Sequence, residues 1–145
     1  MGTFRAERLV RFGHCDPAGI AYFPAYVDIL VGVVEDFWSA LGFPWTDMLG
    51  RRNMGTPTAH ISCDFVRPSH HGDRLTFALT IVRLGRTSLE LSFLVTRGEE
   101  TIWTSRQVLV AMDMQTGKAQ PWPDDIRAAL RHFMNRPDAE PCVGR

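Results

Sequence analysis

Between Pro24 and Leu41 the apolar residues Tyr26, Ile29, Leu30, Val33, Val34, Phe37, Trp38 and Leu41 recur at steps of three and four, the period of an α-helix. The stripe they form is wider than the roughly 100° face that a surface helix buries. Such a helix needs cover on most sides, so the rest of the chain must wrap around it. Pro24 suits the first turn, where a missing N–H is no loss, and Gly42 followed by Pro44 supplies the stop. The spacing predicts a buried rod over about Pro24 to Leu41.

The remaining segments carry the period of strands. Phe4, Ala6, Val10 and Phe12 alternate with Arg5, Glu7 and Arg11, broken only by Arg8 and Leu9. Past a linking segment with Trp45, Met48 and Leu49, four stretches alternate again: Ala59/Ile61/Cys63/Phe65, Leu75/Phe77/Leu79/Ile81, Leu89/Leu91/Phe93/Val95, and Ile102 through Val108, Val110 and Met112. Turn residues at Ser69 to Asp73, Leu84-Gly85-Arg86 and Arg97-Gly98-Glu99 separate them. A last helix, about Asp124 to Met134, places Ile126, Leu130 and Phe133 on one face. The sum is an α+β chain in which a five-stranded antiparallel sheet wraps one long helix. With 145 residues, 45% of them apolar and 22% charged, this fits a single domain over 1–136, followed by a loose tail over 137–145.

Sixteen basic side chains balance sixteen acidic ones, so no net field draws a nucleic acid or an anionic membrane. No apolar run approaches the roughly 20 residues that span a bilayer, and the start lacks the apolar segment of a signal peptide. Ala6 stands where a myristoylation signal requires Ser or Thr. Cys15, Cys63 and Cys142 are odd in number and scattered, which suits reduced thiols and a cytoplasmic setting.

The richest chemistry lies in the loop His14-Cys15-Asp16-Pro17-Ala18-Gly19-Ile20-Ala21-Tyr22-Phe23-Pro24. It sets a carboxylate just before a helix N-terminus, whose free N–H groups favour negative charge. Thioester hydrolysis needs that pair: a base or nucleophile, and donors for the oxygen that becomes anionic. The leaving thiol has a pKa of about 8.5, so a strong general acid is not demanded. On spacing alone Asp16 reads more readily as the cap of a turn before Pro17 than as a catalytic group. His60, His70, His71 and Cys63 match no usual zinc spacing, so no metal is expected. Neither a Gly-x-Ser-x-Gly elbow nor a phosphate-cradling glycine loop occurs.

The run Asp16 to Tyr26, preceded by Val10-Arg11-Phe12-Gly13 and followed by Leu41-Gly42-Phe43-Pro44-Trp45 and Gly55-Thr56-Pro57, resembles the 4-hydroxybenzoyl-CoA thioesterase family over roughly residues 8 to 115. The resemblance implies a hotdog fold and an acyl-CoA thioesterase acting on an aromatic or medium-sized acyl group. It makes Asp16 the catalytic carboxylate, forming a mixed anhydride or activating water. The Phe23 backbone N–H becomes the donor to the carbonyl, because Pro24 has none. Gly19 lets the backbone approach the acyl chain, and Tyr22 lines the pocket. Tyr26 and Trp38 read as core. His14, where an acidic residue is common in the family, either tunes Asp16 or is structural.

Arg86 and Ser88, in the turn that meets the nucleotide end in this family, are the candidates to hold coenzyme A. Arg67, near Ser69, His70 and His71, is a weaker one. Coenzyme A is part of the substrate, and no separate cofactor is implied. Open strand edges predict a homodimer with a continuous sheet. The resemblance puts the site at the dimer interface and implies a dimer of dimers, hence a homotetramer. Two other readings remain open: a binding protein for acyl-CoA or acyl-carrier protein that hydrolyses little, and a hotdog dehydratase with a differently placed histidine and acid.

Overall fold

A computed structural model of the chain describes residues 1–137 and the backbone of Cys142–Gly144. The apolar rod is α1, Phe23–Ala40, with Tyr26, Ile29, Leu30, Val33, Val34, Phe37 and Trp38 buried. Its stop is a Schellman motif. Gly42, at φ +96°, donates to Ser39 O at 3.0 Å, and Phe43 N–H reaches Trp38 O at 2.9 Å.

The sheet around α1 is built from β1 (Thr3–Leu9), β3 (Thr58–Phe65), β4 (Arg74–Leu84), β5 (Ser88–Arg97) and β6 (Glu100–Val110). They run antiparallel in the order β3-β6-β5-β4-β1. This is the five-stranded hotdog sheet wrapped on one helix. The tail read over 137–145 falls largely outside the described residues. Its described part, β8 (Cys142–Gly144), pairs parallel to β1.

On β4 and β5 the predicted alternation is the observed one: Leu75, Phe77, Leu79 and Ile81, then Leu89, Leu91, Phe93 and Val95, face α1 and are buried. Three other segments depart from their reading. Along β6 the register slips opposite Val95 and Thr96, so Ile102 and Trp103 are both buried. Past that bulge the inner set is Trp103, Ser105, Gln107 and Leu109 rather than the even-numbered valines, because one extra residue exchanges the two faces of a strand. Along β3, Ile61, Cys63 and Phe65 lie opposite Gln107, Ser105 and Trp103, on the inner side as the alternation implies. All but Cys63 are nevertheless exposed, since β3 is the open edge and nothing described covers it. Finally, β1 stops at Leu9, and Phe12–His14 forms a 3-10 turn that leaves Phe12 79% exposed rather than on a strand face.

The linker holds a short helix, α2 (Trp45–Leu49), and β2 (Met54–Gly55), which pairs with β7 (Met112–Asp113). The last helix is α3, Asp124–Asn135, with Ile126, Leu130 and Phe133 buried. The Phe133 ring meets that of Phe37 edge-on, centroids 5.2 Å apart. Among the described residues no helix is long and apolar enough to cross a membrane.

Candidate active site

The loop from β1 into α1 is fixed by its own backbone, by the side chains of His14 and Asp16, and by backbone bonds to the segment Ser69 to Asp73. Arg11 N–H donates to His14 Nδ1 at 2.9 Å, and His14 N–H returns to Arg11 O at 3.0 Å. A turn follows, in which Asp16 N–H reaches Ile20 O at 3.0 Å and Gly19 N–H reaches Asp16 O at 2.9 Å. Gly19 sits at φ +82°, a conformation that a Cβ resists. One carboxylate oxygen of Asp16 accepts the Ala18 N–H at 2.9 Å, so the residue does brace a turn. Its second oxygen has no partner among the described residues. The turn bond uses half of the carboxylate and leaves the other half for chemistry.

The start of α1 shows a similar remainder. Tyr22 N–H is bound to His14 O and Ala25 N–H to Tyr22 O, both at 2.8 Å. Pro24 has no N–H. Of these first amides only that of Phe23 lacks a partner among the described residues, at the end where the helix dipole is positive. A free carboxylate oxygen and a free helix-end amide thus flank one seven-residue turn, Asp16 to Tyr22.

Two adjacent clefts share that turn as a wall. Asp16, Pro17 and Gly19, with Phe12, Cys15 and His71, line one of about 490 Å³. Ile20, Ala21 and Phe23, with Tyr26 and Phe65 to Pro68, line the next, about 300 Å³. The second is floored by rings: Tyr26 stacks on Phe65 at 5.9 Å and packs against Trp103 at 5.3 Å. Phe23, Tyr22 and Phe65 are 61%, 53% and 49% exposed, which makes this corner the most aromatic part of the surface.

Behind the clefts, Asp73 holds the connection between β3 and β4. Its carboxylate accepts the His70 N–H at 2.8 Å and Arg97 Nη1 at 2.7 Å. Burial pushes this carboxyl up, but those two hydrogen bonds and the Arg97 charge outweigh it and hold the group below the usual carboxylate range. Asp73 O accepts the Val10 N–H at 2.8 Å, which ties the end of β1 to the same corner.

Asp16, Gly19, Tyr22 and Phe23 follow one another along the same turn, with Asp16 and Gly19 lining one cleft and Phe23 its neighbour. His14 lies beside them, with Nδ1 spent on the Arg11 amide and its carbonyl on Tyr22. Tyr26 is 4% exposed and Trp38 fully buried. Arg86 and Ser88 are elsewhere, Arg86 in the turn between β4 and β5 and Ser88 at the start of β5. Arg74 pairs with Leu9 beside the loop, and Leu84 ends the same 11-residue strand, so roughly 33 Å at ~3.3 Å per residue separates the two ends. That turn is clamped by Arg127 Nη2 on the carbonyls of Gly85 and Arg86, at 2.9 and 3.0 Å, and by Trp122 Nε1 on Ser88 O at 3.0 Å. The exposed Arg86 guanidinium has no partner among the described residues. Arg67 is occupied, donating to Thr101 O at 3.1 Å beside Glu100. The sequence gives no role to Phe12 or Phe65 at the site, and marks Ser69 and His71 only as turn residues near Arg67 and, for His71, as one of the histidines that match no zinc spacing. The facing of Phe65 was legible as alternation, whereas nothing in the turn residues Ser69 to Asp73 marks Ser69 as buried.

A hotdog sheet on a buried helix, with a carboxylate turn feeding the helix N-terminus, defines a class, and the chain belongs to it: the model of the thioesterase-like superfamily matches residues 10–130. The chain is an enzyme of the thioesterase class. It is 30% identical over 138 residues to a 1,4-dihydroxy-2-naphthoyl-CoA hydrolase of Nostoc punctiforme, covering 95% of this chain and 92% of that one. Among solved structures it is similar to Slr0204, a 1,4-dihydroxy-2-naphthoyl-CoA thioesterase from Synechocystis, with TM-score 0.85, 25% identity and coverage of 94% and 100%. It is also similar to a gentisyl-coenzyme A thioesterase, BH1999, with TM-score 0.77, 26% identity and coverage of 88% and 98%.

Proposed function

We propose that this protein hydrolyses the thioester of an aromatic acyl-CoA to the free acid and coenzyme A. One observation carries the reading: the free oxygen of Asp16 and the unpartnered Phe23 amide flank a single turn beside an aromatic cleft. Two similar proteins are named for aryl-CoA substrates, dihydroxynaphthoyl and gentisyl, which supports an aromatic acyl group here.

The Phe23 N–H donates to the thioester oxygen and stabilises it as negative charge develops, aided by the positive end of α1. The Asp16 carboxylate acts by one of two balanced routes. It attacks the carbonyl carbon, the C–S bond breaks to release the thiolate, and water hydrolyses the mixed anhydride. Alternatively it takes a proton from water as that water attacks, and the departing thiolate receives the proton. Both routes need Asp16 ionised and no resident cofactor.

One copy does not complete the substrate site, since Arg86 and Ser88 lie at the far end of β4. Pairing β3 with its copy across a two-fold axis reverses the second strand, so the far end of one subunit meets the near end of the other. The exposed Ile61 and Phe65 on that edge support this dimer, in which Arg86 and Ser88 of the second copy hold the phosphates over Asp16 of the first. Two such dimers make a tetramer. The free thiols Cys15 and Cys63 suit the reducing cytoplasm.

The test is thiol release from benzoyl-, hydroxyaryl- and alkanoyl-CoA by the wild type and by Asp16→Asn. The expected result is turnover of aryl substrates by the wild type and at least about a 100-fold loss in the variant. Equal, negligible rates for both would leave a binding protein in place of the enzyme.

A further inference from the structure

We infer that Ser69, through its bond to Tyr26, is the positioning residue that sets the Phe23 amide against Asp16; the inference rests on the hydrolytic reading above. Ser69 is fully buried, whereas its neighbours Phe65 to Pro68 and His70 to Gly72 are all exposed. A polar side chain at the centre of an exposed connection gains nothing from burial unless its hydrogen bonds are used. Both kinds are. Its carbonyl accepts the Ala21 N–H at 2.8 Å, inside the turn between Asp16 and Phe23, and its hydroxyl is hydrogen-bonded to the Tyr26 hydroxyl, one turn into α1.

One residue therefore grips both halves of the machinery: the turn by its backbone, and the helix start by its side chain. The segment it anchors also divides the two clefts, since Phe65 to Pro68 line the amide cleft and His71 lines the Asp16 cleft. Its far end is pinned by Asp73 and its near end by Ile102 O, which accepts the Val66 N–H at 2.8 Å. Ser69 cannot drift without moving the boundary between carboxylate and amide. The Tyr26 ring is independently held between Phe65 and Trp103, so loss of its hydroxyl leaves the cleft floor in place and removes only the link.

Rates fall steeply with small misplacements of reacting groups, about 100-fold for ~1 Å. A link that adjusts the donor without touching substrate acts on kcat and spares KM. The test compares Ser69→Ala, Tyr26→Phe and the double variant with wild type and Asp16→Asn in one thiol-release series, on the best aryl-CoA of the panel. Each single variant is expected to lower kcat about 10-fold with KM within about 2-fold. The double variant should match the singles, because all three remove the same bond. Unchanged kcat in Tyr26→Phe, a parallel rise in KM, or a multiplicative loss in the double variant overturns the inference while leaving the hydrolase intact. No turnover by the wild type overturns both. Should Ser69→Ala fail to fold, Tyr26→Phe decides alone, since it deletes one oxygen and keeps the packing.

Discussion

The two ends of the sheet are finished differently. At the end where β1 runs into α1, groups are left over: one oxygen of Asp16, the Phe23 amide, and the exposed rings of Phe12, Tyr22, Phe23 and Phe65. At the opposite end the connections are tied off. Arg127 and Trp122 clamp the turn between β4 and β5, Arg52 pairs with Asp125, and Phe133 closes over Phe37. Among the described residues the exposed guanidinium of Arg86 has no partner there. Side chains that satisfy one another stabilise a fold, and those that do not are available to a ligand. The near end should therefore answer to activity measurements and the far end to stability measurements.

The largest effect expected is on Asp16. Asp16→Asn keeps an acceptor for the Ala18 N–H but loses the charge, so kcat should fall about 1,000-fold while denaturant melts shift by less than ~0.5 kcal/mol. The reverse pattern, a destabilised but active variant, would erase the contrast. Next comes Phe133→Ala. It removes a ring only 3% exposed and should cost about 3 kcal/mol in urea unfolding, with kcat of the folded protein within about 2-fold. Arg86→Ala sharpens the contrast, since it belongs to the far end in one chain but to the substrate site in a dimer. It should raise KM about 10-fold and leave kcat alone, as a remote phosphate contact does. An unchanged KM removes Arg86 from the site.

A smaller effect follows from Arg52→Ala, which loses the pair with Asp125 and the contact over the Phe43 ring at 5.1 Å. Asp125 is 56% exposed, so solvent screens the pair and about 1 kcal/mol is expected. The smallest concerns Asp73, whose folded-state pKa lies below its ordinary value of 3.8. A depressed carboxyl contributes stability that is complete above the unfolded value and lost as pH falls through the folded one. Melts between about pH 5 and pH 2 should show that loss for the wild type, and Asp73→Asn should flatten it.

The helix and the strands β4 and β5 were legible because their apolar residues follow the period of their elements without interruption. The loop at Asp16 was legible through its order of residues, and so was the absence of an N–H at Pro24. A bulge was not, since the extra residue at Ile102 leaves no mark in composition yet turns Ser105 and Gln107 inward. Nor was the exposure of β3, because alternation tells which way Ile61 and Phe65 face but not whether anything covers them. Arg86 rests on the family resemblance of its basic turn, and sequence carries no distance to show that a full strand length separates it from Asp16. Ser69 stayed hidden for a related reason: a buried serine and an exposed one are written alike.

Carbonyl polarisation offers the most direct test of the central claim. The Asp16→Asn protein is loaded with benzoyl-CoA carrying a ¹³C thioester carbonyl, and the isotope-edited infrared band is compared with that of free substrate. Donation from the Phe23 amide at the positive end of α1 predicts a shift to lower frequency. A band left where it stands in water, with substrate fully bound, would mean that the carbonyl does not sit at the helix start.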